Sequence, residues 1–164
     1  MSEKMYVSPQ PIKNYLDKEL ECDCGHTHYV PIKGVEISAG AINTLPMYTK
    51  KLGYKHPYIL CDEITYKIAG KRCEELLKAD GTDSKVLILK HLNFDEATLG
   101  EIIINLPENC DLMIGVGTGS ITDMTRFSSF KLKLPCFTVA TGAPMDGFAA
   151  SIGIMNVNNL KKTM

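Results

Sequence analysis

Apolar and polar positions along this chain follow two periods. Tyr58-Ile59-Leu60-Cys61-Asp62, Val86 to Leu89, Leu112 to Val116 and Phe137 to Ala140 are short, almost uninterrupted apolar runs. Runs of that length predict strands buried on both faces. Between them, apolar residues recur every three or four positions. That spacing predicts helices over Asn43 to Leu52, Ile64 to Ala79, Ala97 to Leu106 and Ile121 to Leu132. Pro46 falls near the first turn of its helix, where a missing N–H costs little. Gly70 falls inside its helix and weakens it. Val30 to Ser38 alternates loosely and predicts an edge strand, and the residues before it show no sustained period. The predicted organisation is an irregular segment, 1–29, followed by one α/β domain, 30–164. That domain is a Rossmann-like parallel sheet with helices on both faces.

The strand ends carry the candidate chemistry. Leu112 to Val116 runs into Gly115-Val116-Gly117-Thr118-Gly119-Ser120-Ile121-Thr122-Asp123, a strand, glycine turn and helix start. Such a turn bares backbone N–H groups to an anion at the positive end of a helix. The expected anion is a nucleotide pyrophosphate, although the spacing is G-x-G-x-G rather than G-x-G-x-x-G. The competing reading is a plain turn capped by Ser120, with Asp123 closing a capping box. Phe137 to Ala140 runs into Thr141-Gly142-Ala143-Pro144-Met145-Asp146-Gly147-Phe148. Two such loops at the carboxyl ends of parallel strands sit where open α/β sheets bind ligands. Asp62 ends a third strand. Its carboxylate suits ribose hydroxyls and repels a 2′-phosphate, favouring NAD over NADP, but it suits helix capping equally.

Charge narrows the partners. Eighteen Lys+Arg stand against 19 Asp+Glu in 164 residues. No basic block points to nucleic acid, and no apolar run reaches the ~20 residues of a membrane span. Met1 to Tyr6 has no apolar signal core, and Cys61, Cys110 and Cys136 fall in or beside predicted strands, where cysteine acts as a small apolar residue. A reduced, cytoplasmic protein is expected.

Cys22, Cys24, His26 and His28 alternate over seven residues. In an extended strand all four would share one face, which cannot surround a tetrahedral ion. A turn at Gly25 would fold the two halves together, but the spacing matches no known zinc module, and a structural or surface role is expected. His56 and His91 read as loop residues rather than ligands.

Gly115 to Phe130 followed by Val139 to Phe148, together with Cys22-Asp23-Cys24-Gly25-His26-Thr27-His28-Tyr29-Val30-Pro31-Ile32, resembles the glycerol-1-phosphate dehydrogenase family. The likeness is to its bacterial arabinose-operon type, within the iron-containing alcohol dehydrogenase and dehydroquinate synthase-like group. It runs from about Glu21 to Met164. It implies a dehydroquinate synthase-like N-terminal domain. It also implies a helical C-terminal domain beyond Met164 whose Asp and two His hold a divalent metal (Ni, Zn or Fe). The implied cofactor is NAD(H) or NADP(H), and the implied reaction is reduction of dihydroxyacetone phosphate to sn-glycerol 1-phosphate. Gly117, Thr118, Gly119, Ser120, Ile121, Thr122, Asp123, Thr141, Gly142, Ala143 and Pro144 would contact the cofactor, with Asp123 near the nicotinamide amide. Asp146 would contact the substrate.

Two departures from the family pattern stand out. Ala150 occupies a position where a cofactor-touching serine is expected, with Ser151 adjacent. Thr141-Gly142-Ala143-Pro144 replaces Thr-Ala-Pro-Ser. Expected partners are a phosphorylated ketone and the C-terminal domain, supplied as more chain or as a split partner, with a homodimer left open. Without that domain the chain is expected to lack dehydrogenase activity and to expose an apolar patch over Phe148 to Met155. A non-catalytic nucleotide-binding fragment, a glycerol dehydrogenase and a dehydroquinate synthase-like enzyme remain alternatives.

Overall fold

The structure, a computed structural model, describes residues 11–21, 23–143, 147–150, 153–158 and 160–163. It divides into two compact units, 1–39 and 40–164.

The first unit contains an antiparallel hairpin of β1 (Lys18–Glu21) and β2 (Thr27–Val30), in register from Lys18↔Val30 to Glu21↔Thr27. Gly25 takes the left-handed conformation, φ 81°, in its turn. The strand expected over Val30 to Ser38 is not formed. Strand β2 ends at Val30, and residues 31–37 have no regular structure. Pro31 lacks the N–H that would continue the ladder, which accounts for the stop.

The second unit is built on four parallel strands in the order β4-β3-β5-β6. They are β3 (Pro57–Asp62), β4 (Lys85–Leu89), β5 (Leu112–Gly117) and β6 (Cys136–Ala140), close to the predicted runs. The central strands β3 and β5 are buried at every position. Their side chains divide between two cores. Tyr58, Leu60 and Met113 pack with Ile102, Ile121, Met124 and Phe127, on the face carried by α4 (Glu96–Ile104) and α5 (Gly119–Leu132). Ile59, Cys61, Leu112, Ile114 and Val116 pack with Leu45, Cys73 and Leu77, on the face of α1 (Leu45–Lys51) and α3 (Lys71–Ala79). Each fully buried Leu or Ile stabilises by about 1.5–3 kcal/mol, so continuous apolar runs at these two strands are required. Burial also pushes the Cys61 thiol up to about 12 and that of Cys73 to about 11, which keeps both uncharged.

The helical stretch expected over Ile64 to Ala79 is helical, but in pieces. It comprises α2 (Glu63–Thr65), a π-type turn (Tyr66–Gly70) and α3. A Cβ on Gly70 would lie 3.0 Å from Tyr66 Cδ2 and 3.4 Å from Cys61 Sγ. Glycine there lets the widened turn lie against β3 and the Tyr66 ring. At the amino edge of the sheet, the Asp111 carboxylate accepts the Lys55 and His56 N–H groups at 2.6 and 2.9 Å, pinning the entry to β3. His56 is half-buried on that edge, and His91 is exposed just beyond β4.

A second hairpin, β7 (Ile154–Val157) with β8 (Leu160–Thr163), follows the sheet. Of the apolar patch expected over Phe148 to Met155, Ser151 and Ile152 lie outside the described residues. Gly153 and Met155 are buried, Met155 within the α4–α5 core, and only Ile154 of these three is exposed. Among the described residues no helix is long and apolar enough to cross a membrane.

Candidate functional site

Residues alternate across β5, so Met113, Gly115 and Gly117 face α5. A Cβ on Gly115 would lie 2.3 Å from Thr125 Oγ1, and one on Gly117 would lie 2.6 Å from Ile121 Cβ. These two glycines let α5 lie directly on its own strand. Their first role is helix–strand packing, and it places the start of α5 against the carboxyl end of the sheet.

What happens at that start differs from the neighbouring helices. Asp62 caps α2, its Oδ1 accepting the Ile64 and Thr65 N–H groups at 2.7 and 2.8 Å. The Thr65 hydroxyl in return accepts the Asp62 N–H, completing a capping box. Asp95 caps α4 through the Thr98 N–H at 2.9 Å, which holds its carboxyl below the usual aspartate range. Helix α5 begins after Thr118, whose side chain makes no capping hydrogen bond. The competing reading, a Ser120–Asp123 capping box, is not formed: Ser120 already lies within the helix, and Asp123 is turned to other partners. The Thr122 N–H reaches the Thr118 carbonyl at 2.9 Å, whereas among the described residues no side chain caps the first amides of the 14-residue helix. A helix N-terminus carries roughly half a positive charge. Among the described residues no carboxylate offsets that charge, and the first turn of α5 holds no acidic residue.

The second loop lies beside it. Gly117 pairs with Ala140, and the Thr141 N–H donates to the Gly117 carbonyl at 3.1 Å. Thr118, Gly119, Ser120, Thr141, Gly142 and Ala143 therefore line one corner of the sheet's carboxyl edge, Thr118 and Ser120 exposed. Ile121 and Thr122 are buried against the sheet, so their side chains face inward. Asp62 reaches the same edge at the end of β3 but is 8% exposed and turned into its cap. Pro144 and Asp146 lie outside the described residues, as does Ser151.

Asp123 is engaged by the chain itself. Its Oδ1 lies 3.6 Å from Arg126 Nη1, and its Oδ2 accepts the Ile154 N–H at 3.3 Å. Arg126 also donates through Nη2 to the Gly147 carbonyl. This pair ties the segment after the second loop to α5. Arg126 was missed in the sequence, although its i,i+3 spacing from Asp123 on a helix is a readable signal. A further backbone bond, from the Asn156 N–H to the Phe94 carbonyl at 2.7 Å, brings β7 beside the end of the β4 loop. The resulting cleft, about 250 Å³, is lined by Leu92, Phe94, Ser120, Asp123, Ile154 and Lys161 among others. Nothing in the spacing of Asn93-Phe94 and Asn156 forecasts that meeting.

Among the described residues, no three His, Cys, Asp or Glu side chains converge to hold an ion.

Comparison with known proteins gives this geometry its context. Residues 36–164 match the profile of the family described as iron-containing alcohol dehydrogenase. A glycerol-1-phosphate dehydrogenase [NAD(P)+] of Halalkalibacterium halodurans is 36% identical over 136 residues, covering 79% of this chain and 34% of the relative. One from Bacillus velezensis is 34% identical over 165 residues, covering 98% and 41%. The chain thus spans about two fifths or less of the length of these relatives. The fold matches the glycerol dehydrogenase of Schizosaccharomyces pombe with a TM-score of 0.68, at 20% identity over 76% of this chain and 32% of that one. It matches the NADH-dependent butanol dehydrogenase A of Thermotoga maritima with a TM-score of 0.69, at 16% identity over 77% and 38%. The parallel sheet, the glycine-lined strand–helix turn and the profile match agree: the chain belongs to the iron-containing alcohol dehydrogenase family.

Proposed function

We propose that this chain is the nucleotide-cofactor-binding part of an NAD(P)H-dependent dehydrogenase that reduces dihydroxyacetone phosphate to sn-glycerol 1-phosphate. The observation that carries the reading is the uncapped start of α5 beside Thr141, at the carboxyl edge of a parallel sheet. Glycerol-1-phosphate dehydrogenases among its relatives supply the substrate.

The chain's own residues divide the work. The N–H groups at Gly119 and Ser120, with the positive end of α5 behind them, take the pyrophosphate. Thr118 borders it after β5, and Thr141, Gly142 and Ala143 border it after β6; the family resemblance adds Pro144 as a cofactor contact. Asp62 orients the ribose with the carboxylate oxygen its cap leaves unused, and its charge disfavours a 2′-phosphate. Asp123 and Arg126 hold the segment that leads from the second loop, and Asp146 meets the substrate. The bound nicotinamide supplies the hydride. The described residues do not form a metal site of three or more ligands, so no step is assigned to a metal here.

The test is a fluorescence titration of the chain with NADH. Gly119→Val puts a branched side chain where the pyrophosphate approaches, and it should weaken binding at least tenfold while far-UV circular dichroism stays unchanged. Equal affinity of the two folded proteins would remove the assignment.

A further inference from the structure

One ion pair on α5 shapes a wall of the cleft between that helix and β7. Arg126 follows Asp123 by three positions, so the two side chains share a helix face. Arg126 Nη1 lies 3.6 Å from Asp123 Oδ1, and Nη2 donates to the Gly147 carbonyl. The other carboxylate oxygen, Oδ2, accepts the Ile154 N–H at 3.3 Å. Gly153 lies against the same side chain, where a Cβ would be 3.4 Å from Asp123 Cβ and 3.5 Å from its Cγ. The Arg126 and Asp123 side chains are only 16% and 23% exposed, so solvent screens the pair weakly. Among the described residues that line the cleft, Asp123 and Ile154 are present and Arg126 is not. Arg126 therefore acts on the cleft through Asp123.

We propose that Arg126 is a positioning residue for the nicotinamide half of the cofactor. This rests on the cofactor reading above, with the pyrophosphate at Gly119 and Ser120 and the adenosine ribose at Asp62. The other half then needs a second channel from the same helix start. The cleft provides it: Ser120 lines it, and so does Asp123, nearly one turn further along α5. An aspartate on a helix has more than one χ1 rotamer open to it. The guanidinium holds the one that aims Oδ2 at the Ile154 N–H. Through the Gly147 carbonyl it also holds the other end of the segment that runs to Ile154. Without it Oδ2 releases the Ile154 amide, and the cleft wall loses its fixed place. The planar fork meets two acceptors in fixed directions, whereas a lysine ammonium keeps the charge and not that geometry. The start of the second loop is held independently, by the Thr141 N–H on the Gly117 carbonyl at 3.1 Å, so the pyrophosphate seat does not depend on Arg126.

The test is calorimetric titration of the chain with NADH and, separately, with ADP, which has the diphosphate and adenosine but no nicotinamide. Arg126→Met keeps the aliphatic stem and drops the guanidinium. It should weaken NADH by about tenfold, as loss of a hydrogen-bonded charge does, and leave ADP as in the parent. Arg126→Lys should fall between the parent and Arg126→Met for NADH. If Arg126→Met does not fold, Arg126→Lys decides by the same comparison, with NADH weakened and ADP unchanged. Equal NADH affinity in variant and parent overturns the proposal. So does equal weakening of both ligands, the mark of a residue that only supports the fold. A parent chain that does not bind NADH fails differently: it removes the cofactor reading, and this role falls with it.

Discussion

Replacing Gly115 by alanine tests the packing of α5 on β5. The added Cβ would lie 2.3 Å from Thr125 Oγ1, 2.9 Å from Thr125 Cβ and 3.2 Å from its Cγ2. Comfortable carbon contacts begin at about 3.5 Å. Rotating Thr125 relieves the first and third contacts but not the second, because the position of Cβ does not depend on χ1. The helix must therefore retreat, or the central strand must bend, in a core where both are fully buried. Overpacking of this kind costs about 1–3 kcal/mol. At roughly 2–4 °C per kcal/mol for a chain of this size, the melting temperature should fall by about 2–12 °C. Thr125→Ala alone should also destabilise, since it discards a buried methyl and the hydroxyl bonded to the Ile121 carbonyl at 2.7 Å. In the double variant the alanine at 125 removes two of the three close contacts. The pair should then be less destabilised than the sum of the singles by more than about 0.5 kcal/mol. Urea unfolding of the four proteins supplies the cycle. A Gly115→Ala protein as stable as the parent, or simple additivity, would refute the packing argument and return Gly115 to ligand approach.

At Asp62, asparagine keeps the capping oxygen and removes the charge. Stability should hold to within about 0.5 kcal/mol, since the two residues cap comparably, while the preference for NADH over NADPH narrows; an unchanged ratio of affinities would leave Asp62 with the cap alone. At Asp95 the Thr98 N–H lowers the folded carboxyl below its ordinary value. That stabilisation is complete above the unfolded aspartate value, about 3.9, and disappears as pH falls through the lowered folded value. The stability difference between parent and Asp95→Asn should thus be level near neutrality and change only below about pH 4. A difference that stays flat through acid unfolding would contradict the cap.

The sheet was readable because β3 and β5 are enclosed on both faces, and such strands must be apolar at every step. That two loops meet at one corner was readable for a related reason: Gly117 to Ser120 and Thr141 follow strands, and parallel strands gather their carboxyl ends. What escaped depends on neighbours distant in sequence. Gly115 looked like bare backbone for an anion, and only Thr125, one helical face away, makes it a packing residue. Asp123 looked available to a ligand until Arg126 and the Ile154 N–H took its oxygens. The β7–β8 hairpin escaped because Met155 is its main buried apolar residue. The contact of Cys24 Sγ with His28 Nε2, at 3.2 Å, required a turn whose hand cannot be read from alternation.

The sheet order has a consequence for the chain while it is being made. Strand β3 leaves the ribosome first, yet its partner β5 starts at Leu112, 50 residues after Asp62. At about 5–20 residues per second, that partner arrives roughly 3–10 s later. For that interval the stretch Tyr58-Ile59-Leu60-Cys61, with strong β propensity and no charge, has one exposed flank. Strand β4 alone can cover the other flank meanwhile. Aggregation during synthesis should therefore depend on translation speed between Asp62 and Leu112 more than on the stability of the finished fold.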